Sequence, residues 1–448
     1  MGLLSLELVL AISFLPLVAW VFFHHQEFLL LAVITAYFGT AYLSTTLVAS
    51  GLVRGTLLLA IGLVLLLRLA AKGAVARVST PVDRIILFWC LIIVSSLVHG
   101  FYFRHNEPQY LVGDLYKFLE ILLIFYLTTF LVKEDRQARF LIWGFFAVAL
   151  VFGAVDSMTF LSRFHLVGSA LLARVRAAAQ FSSLFALILA ISLFLHERRV
   201  LVRGTLAILG LGFLVSFVLT FLRTGYIALP PALVFVLVLY LYKHKRHAFA
   251  RTMRFAVLFF SLLALVLCVN LILSTIGPDI DIIQASLARL RSLVDPASSD
   301  PMGVRILELR SITSQVLIPS PLLGNGLGGE YFSATLVEEE LEWGIKHYVH
   351  NNYFDFIVRT GILGLIAFLV LAVKFLKDAV TFYLRSEHSF YQGILLGSLG
   401  VFVCSCIIAL STSILYSPFL FMMMAVTYCV AHIEEKKRKR RTEKRLSR

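Results

Sequence analysis

The stretch 324–364, GNGLGGEYFSATLVEEELEWGIKHYVHNNYFDFIVRTGILG, gathers residues that could do chemistry beside a long apolar run. Its centre is His350, followed by Asn351 and Asn352 and preceded by His347. A histidine accepts a proton near neutral pH, as a general base must. The competing reading is structural: a polar side chain at the mouth of an apolar segment caps the helix that begins there. Asn351 or Asn352 would meet that need alone, which leaves His350 without an obvious structural duty. His350 is therefore the candidate base and His347 the runner-up.

Arginines form the second candidate set. Arg174 and Arg176 lie in LLARVRAAAQF, Arg223 in the short turn of LTFLRTGYIAL, and Arg289, Arg291, Arg305 and Arg310 in a long polar loop. A guanidinium presents a planar fork of donors suited to phosphate oxygens. Several converging at one membrane interface would suit a diphosphate on a lipid. The bland reading, snorkelling to headgroups or pairing with loop carboxylates, is preferred for Arg289 and Arg291. For Arg223, with few polar neighbours, function is favoured. Arg176 is preferred to Arg174 because it is nearer the start of the next helix.

Other polar groups read more plainly. GNGLGG lacks the lysine of a nucleotide-binding loop and suits close backbone approach. Glu338, Glu339, Glu340 and Glu342 could hold a metal or a sugar, but three consecutive acids cannot face one site on a helix, so a solvated face is expected. Asp355 and Arg359 are one helical turn apart and would neutralise each other. Asp114, Lys117 and Glu120 form a similar small cluster. The five cysteines all lie in apolar runs without metal-type spacing.

The elements that carry these residues are membrane helices. The 448 residues are 60% hydrophobic and only 15% charged, and the mean hydropathy is +0.90. Apolar runs fall near 5–22, 28–48, 52–70, 84–103, 114–132, 139–161, 177–195, 203–221, 225–242, 254–275, 351–376, 389–411 and 415–433. They are long enough to span a bilayer as helices and lack the alternation of barrel strands. The expected fold is an all-α polytopic membrane protein with 12–13 transmembrane helices. It divides into a bundle over 1–275, a helical loop over 276–349, further membrane helices over 350–433 and a basic tail over 434–448. The N-terminus MGLLSLELVL has no basic region before its apolar run, so no cleavable signal is expected.

Basic residues cluster at 68–84, 133–139, 198–203, 243–254, 374–385 and in the tail, and alternate with poorly basic loops. The positive-inside rule puts the basic set, with the C-terminus, in the cytoplasm and the 276–349 loop outside. The net charge of +14 owes much to the tail, where Lys436 to Arg448 hold nine basic residues and one acidic. Such a tail after a membrane helix is drawn to anionic headgroups rather than nucleic acid. In the loop, Ile283, Leu287, Leu290 and Val294 recur at helical spacing, an amphipathic pattern. A second helical run, Val304 to Ile318, ends at Pro319 and Pro321.

The order of features resembles a known family. An arginine precedes a mid-chain span, and an Arg223-Thr224-Gly225 turn follows the next. A long loop then carries an arginine-led helix, a Pro-Leu-Leu-Gly-x-Gly-x-Gly run from Pro321, His350-Asn351 and Gly361-Ile362-Leu363-Gly364. This arrangement, over roughly Ala173 to Leu365, resembles the O-antigen ligase and O-antigen polymerase family of bacterial envelope glycosyltransferases. The resemblance implies a GT-C-like helical fold in the bacterial inner membrane, with its site on the periplasmic face. It implies a glycan donor on undecaprenyl diphosphate, no metal and no cofactor. His350 matches the catalytic histidine, and Arg176 (or Arg174), Arg223 and Arg305 match diphosphate-contacting arginines. His347, Asn351, Asp355 and Arg359 are secondary candidates. The chain departs from the family where an acid often precedes Gly-Ile-Leu-Gly: Arg359 stands there. The acceptor would be lipid A-core for a ligase, the first choice, or a lipid-linked glycan for a polymerase. A flippase or transporter is the reading from another class, but no two-half symmetry is apparent.

Overall fold

The computed structural model describes residues 28, 30–32, 35, 77–167, 180–220, 222–245, 301–337 and 340–447. The expected spans 5–22, 52–70 and 254–275, nearly all of 28–48 and the amphipathic pattern over 283–294 lie outside these residues. So do Arg174, Arg176, Arg289 and Arg291.

The described chain is almost entirely helical. In order come α1 (Asp83–Val98, continued by a wide turn over His99–Phe103), α2 (Pro108–Leu131), α3 (Asp135–Val167), α4 (Gln180–His196), α5 (Val200–Leu219) and α6 (Arg223–Lys243). Then follow α7 (Pro301–Ile312), strands β1 (Tyr331–Val337) and β2 (Glu340–Lys346), and α8 (Asn352–Arg385), α9 (Ser389–Ile408) and α10 (Pro418–Leu446). Among the described residues, six helices are long and apolar enough to cross a membrane: α1 with its extension, α3, α5, α6, α8 and α9. Helices also form over the expected spans 114–132 and 415–433, as α2 and α10, and both carry charged residues. The apolar sequence explains the choice of helix, since a backbone in lipid must satisfy its own polar groups.

The helices pack around α9, which lies against α4, α6, α8 and α10, while α8 also packs on α1 and α10 on α2. Near the loop end of this bundle Trp89 is fully buried. Its ring meets Phe118 at 5.7 Å, Phe356 at 5.9 Å and Phe421 at 6.1 Å between centroids. These aromatic contacts tie α1, α2, α8 and α10 together just behind the segment that carries His350.

Two features depart from the expected span 351–376 and helical loop. First, α8 is broken. Gly361 has φ 66° and ψ −169°, a backbone conformation closed to other residues. In an unbroken helix the Ile362 N–H would donate to the Val358 carbonyl. Here Ile362 donates to the Pro321 carbonyl at 2.8 Å, and Val358 accepts from the Asn325 N–H at 2.9 Å. The glycine-rich loop thus supplies both missing partners, so the break leaves no orphan at these two groups. Second, the loop contains an antiparallel hairpin in which Tyr331 faces Lys346 and Val337 faces Glu340. Near its base the hairpin alternates, with Tyr331, Ser333 and Lys346 buried and Phe332 and Ile345 exposed; further along the pattern is lost, since Ala334 is buried and its partner Trp343 exposed. That period of two is a strand signal. Glu340 and Glu342 therefore lie on a strand and not on a helix; Glu342 is solvated as expected, while Glu338 and Glu339 lie outside the described residues.

Candidate active site

The site is built where α7, the hairpin and the start of α8 meet. A small core of Ile312, Val316, Tyr331, Val349 and Val358 fastens these elements to one another. At the α8 start, Asn351 is the cap: its side-chain oxygen accepts from the Tyr353 N–H at 2.9 Å and the Phe354 N–H at 3.2 Å. Asn351 also donates to the Leu410 carbonyl at 3.0 Å, and Asn352 accepts from the Leu415 N–H at 2.8 Å. The turn between α9 and α10 thereby fixes the mouth of α8. As the sequence suggests, His350 is spared capping. Its side chain is 38% exposed.

The imidazole is held from behind. His350 Nδ1 lies 3.2 Å from Oε2 of Glu308, whose side chain is only 1% exposed. Glu308 was not among the expected site residues. A carboxylate accepts hydrogen bonds and does not donate, so Nδ1 carries the hydrogen and the basic lone pair falls on Nε2. The Tyr331 hydroxyl lies 2.6 Å from Glu308 Oε1 and 2.6 Å from the Tyr348 carbonyl oxygen. Burial pushes the Glu308 carboxyl up, but the hydrogen bonds from His350 and Tyr331 and the charges of His350 and Lys346 outweigh it. The net result holds Glu308 below the usual glutamate range. Burial, and then the charge of Glu308, push the Tyr331 phenol well above its usual value. Burial pulls the Lys346 ammonium down, partly offset by Glu308; its Nζ donates to the Ala334 carbonyl.

The remaining candidates fall into two groups. Arg305 is half-buried on α7, three residues before Glu308 and so on the same side of the helix. Arg223 is half-buried at the first residue of α6; each arginine is engaged with a neighbour. His347, by contrast, has structural partners. Its ring stacks on Tyr110 of α2 at 3.3 Å between centroids, and its Nδ1 lies 3.4 Å from Glu330 Oε1.

Arg359 and Asp355 do not form the self-contained pair that their spacing suggests. Arg359 is 1% exposed, Asp114 4% and Asp355 4%. Arg359 Nη1 lies 2.6 Å from Asp114 Oδ2, and its Nε lies 3.4 Å from Asp355 Oδ1. The same guanidinium donates to the Gly329 carbonyl at 2.9 Å and to the His347 carbonyl. Asp114 Oδ2 also accepts the Gly328 N–H at 2.8 Å, and Oδ1 meets Lys117 Nζ at 3.0 Å. Two carboxylates thus balance two cations, and the cluster fastens the glycine run between α2 and α8.

The glycines serve close approach. Gly326 has φ +78°, and a Cβ there would fall 2.6 Å from Gly100 Cα. Asn106 clamps the same run, donating to the Asn325 and Leu327 carbonyls at 2.8 Å each.

The sequence model described as O-antigen ligase matches residues 209–369, which include Arg223, Arg305, Glu308, the glycine run, His350 and the break at Gly361. No curated protein matches the chain. The chain is thus a multi-pass membrane protein that, over residues 209–369, is similar to the O-antigen ligase family.

Proposed function

We propose that this protein is a metal-independent, inverting glycosyltransferase of the bacterial inner membrane. It moves a glycan from undecaprenyl diphosphate to a sugar hydroxyl of lipid A-core at the periplasmic face, with its C-terminus in the cytoplasm. The family supports O-antigen ligase/polymerase-type glycosyl transfer in general. The observation that carries the finer reading is His350 itself: a half-exposed imidazole at a helix mouth whose capping is done by Asn351.

In this reading His350 Nε2 takes the proton of the acceptor hydroxyl. The hydroxyl oxygen attacks the anomeric carbon from the face opposite the diphosphate, forming the new glycosidic bond and inverting the centre. The bond to the diphosphate oxygen breaks, and its electron pair leaves with undecaprenyl diphosphate. Arg305 and Arg223, with Arg176 or Arg174, meet the charge that grows on that oxygen, where fixed donors lower the barrier most.

The test is turnover by the purified protein with an undecaprenyl diphosphate-linked oligosaccharide and a chelator, with and without lipid A-core. A single shift that requires lipid A-core supports the ligase. A ladder without it makes the protein a polymerase using a lipid-linked acceptor. No turnover, with lipid movement in vesicles instead, overturns the proposal in favour of a flippase.

A further inference from the structure

We infer that Glu308 is the residue that orients His350 and sustains its charge during transfer, a positioning role resting on the reading of His350 as the base. The contact alone would be weak ground, because polar groups in loops often meet. Three observations make it stronger. Glu308 is 1% exposed, and an ionised carboxylate is costly to bury unless it is paired and hydrogen-bonded. Its neighbours come from three elements: Tyr331 on β1, Lys346 on β2 and His350 before α8. And Asn351 and Val349 hold the chain on either side of His350, by the cap and by the Ser413 hydroxyl, which donates to the Val349 carbonyl at 3.0 Å. The backbone is thus fixed, and Glu308 is left to set the ring.

The chemistry follows from proton counting. With Nδ1–H donated to Glu308, Nε2 presents its lone pair to the acceptor. When the acceptor proton moves to Nε2, the ring becomes a cation with both hydrogens, and Glu308 faces that new charge at 3.2 Å. Glu308 itself takes no proton, as in other carboxylate–histidine pairs. Lys346 also offsets the carboxylate and favours its ionised form. Tyr331 meets Oε1, and the ring Nδ1 lies 3.3 Å from Oε1 and 3.2 Å from Oε2. After transfer the proton passes from Nε2 to water or the departing diphosphate.

The test compares Glu308→Gln, Glu308→Asp and His350→Ala in the full-length protein. Each is assayed with the undecaprenyl diphosphate-linked oligosaccharide and whichever acceptor supports turnover. Glu308→Gln is expected to lower kcat about 100-fold or more, with the donor KM within about threefold. The acidic limb of its residual rate–pH profile should move to lower pH. Glu308→Asp should recover part of kcat and restore that limb, because it keeps the charge on a shorter arm. Wild-type kcat and an unmoved limb in Glu308→Gln, with His350→Ala inactive, overturn the role of Glu308 and leave the base intact. An active His350→Ala overturns the base instead. If Glu308→Gln does not elute as a folded species, Glu308→Asp decides: reduced kcat at constant KM supports the inference, and unchanged kcat refutes it.

Discussion

Arg359 on α8 and Asp114 on α2 form a solvent-excluded ion pair at 2.6 Å, and both ends of that pair also hold the glycine loop. Arg359 grips the Gly329 carbonyl and Asp114 the Gly328 N–H. One charge pair therefore joins α2, α8 and the segment between them and the site. Arg359 has, in this fold, a mechanical task.

Arg359→Ala should destabilise the fold severely. It strands Asp114 and Asp355 in a buried place, and removing one partner of a buried pair costs about 3–5 kcal/mol. The check is thermal unfolding in detergent followed by size exclusion. Arg359→Met combined with Asp114→Asn and Asp355→Asn should recover much of the loss, since neutral groups of similar volume need no partner charge.

The two histidines should separate. His350→Ala should retain a folded profile and lose about 100-fold or more of its transfer rate. His347→Ala should stay within about tenfold of wild type, with a lower melting temperature, because its ring stacks on Tyr110 and its Nδ1 lies beside Glu330. Equal loss of rate in both variants would make His347 part of the chemistry.

Arg305→Lys keeps the charge and loses the fork. A bidentate arginine–phosphate contact is not replaced by an ammonium, so donor KM should rise or kcat fall by about tenfold. Titration with undecaprenyl diphosphate-linked oligosaccharide reads it. The same substitution at exposed Arg310 of the same helix should leave both constants unchanged.

Acid should loosen the loop through Glu308. Against burial, which raises it, the hydrogen bonds from His350 and Tyr331 hold its folded-state pKa below the usual glutamate range. Its contribution is therefore fully present above the ordinary glutamate value of about 4.3 and disappears as pH falls through the lower folded value. Protease cleavage within 301–349 measures this. The wild type should resist better than Glu308→Gln at pH 7, and the difference should shrink as pH falls below the ordinary glutamate range. A difference that persists in acid contradicts the assignment.

Gly326→Ala should impair folding. A methyl group there would meet Gly100 Cα at 2.6 Å while φ stays at +78°. Overpacking of this kind costs about 1–3 kcal/mol, and the backbone strain adds to it. A lower melting temperature than wild type is the expected reading; an unchanged one would mean the two segments part without cost.

Parts of this arrangement were plain in the sequence. Long apolar runs dictate helices whatever surrounds them, and an asparagine before such a run caps it by local geometry, so the place of His350 was legible. Glu308 was not: it is 42 residues from His350, and only the fold of the intervening hairpin brings them together. Arg359 does pair with Asp355 as its spacing suggests, but its second partner, Asp114, was not legible because spacing reports neighbours on one helix and is silent about α2. The hairpin was hidden because its alternation of buried and exposed residues covers only the first pairs, Tyr331–Lys346 and Phe332–Ile345. The break at Gly361 leaves no mark in hydropathy, since its repair depends on carbonyls and amides of another segment.

That repair has a consequence for engineering. Residues 320–364 behave as a single cast part, with the loop completing the backbone of the helix that follows it. A chimera joined between 349 and 350 would pair one protein's break with another's filler, and each would have to match the other atom for atom. Exchange of acceptor preference between relatives should therefore move 320–364 as one block, together with the α2 surface that carries Asp114.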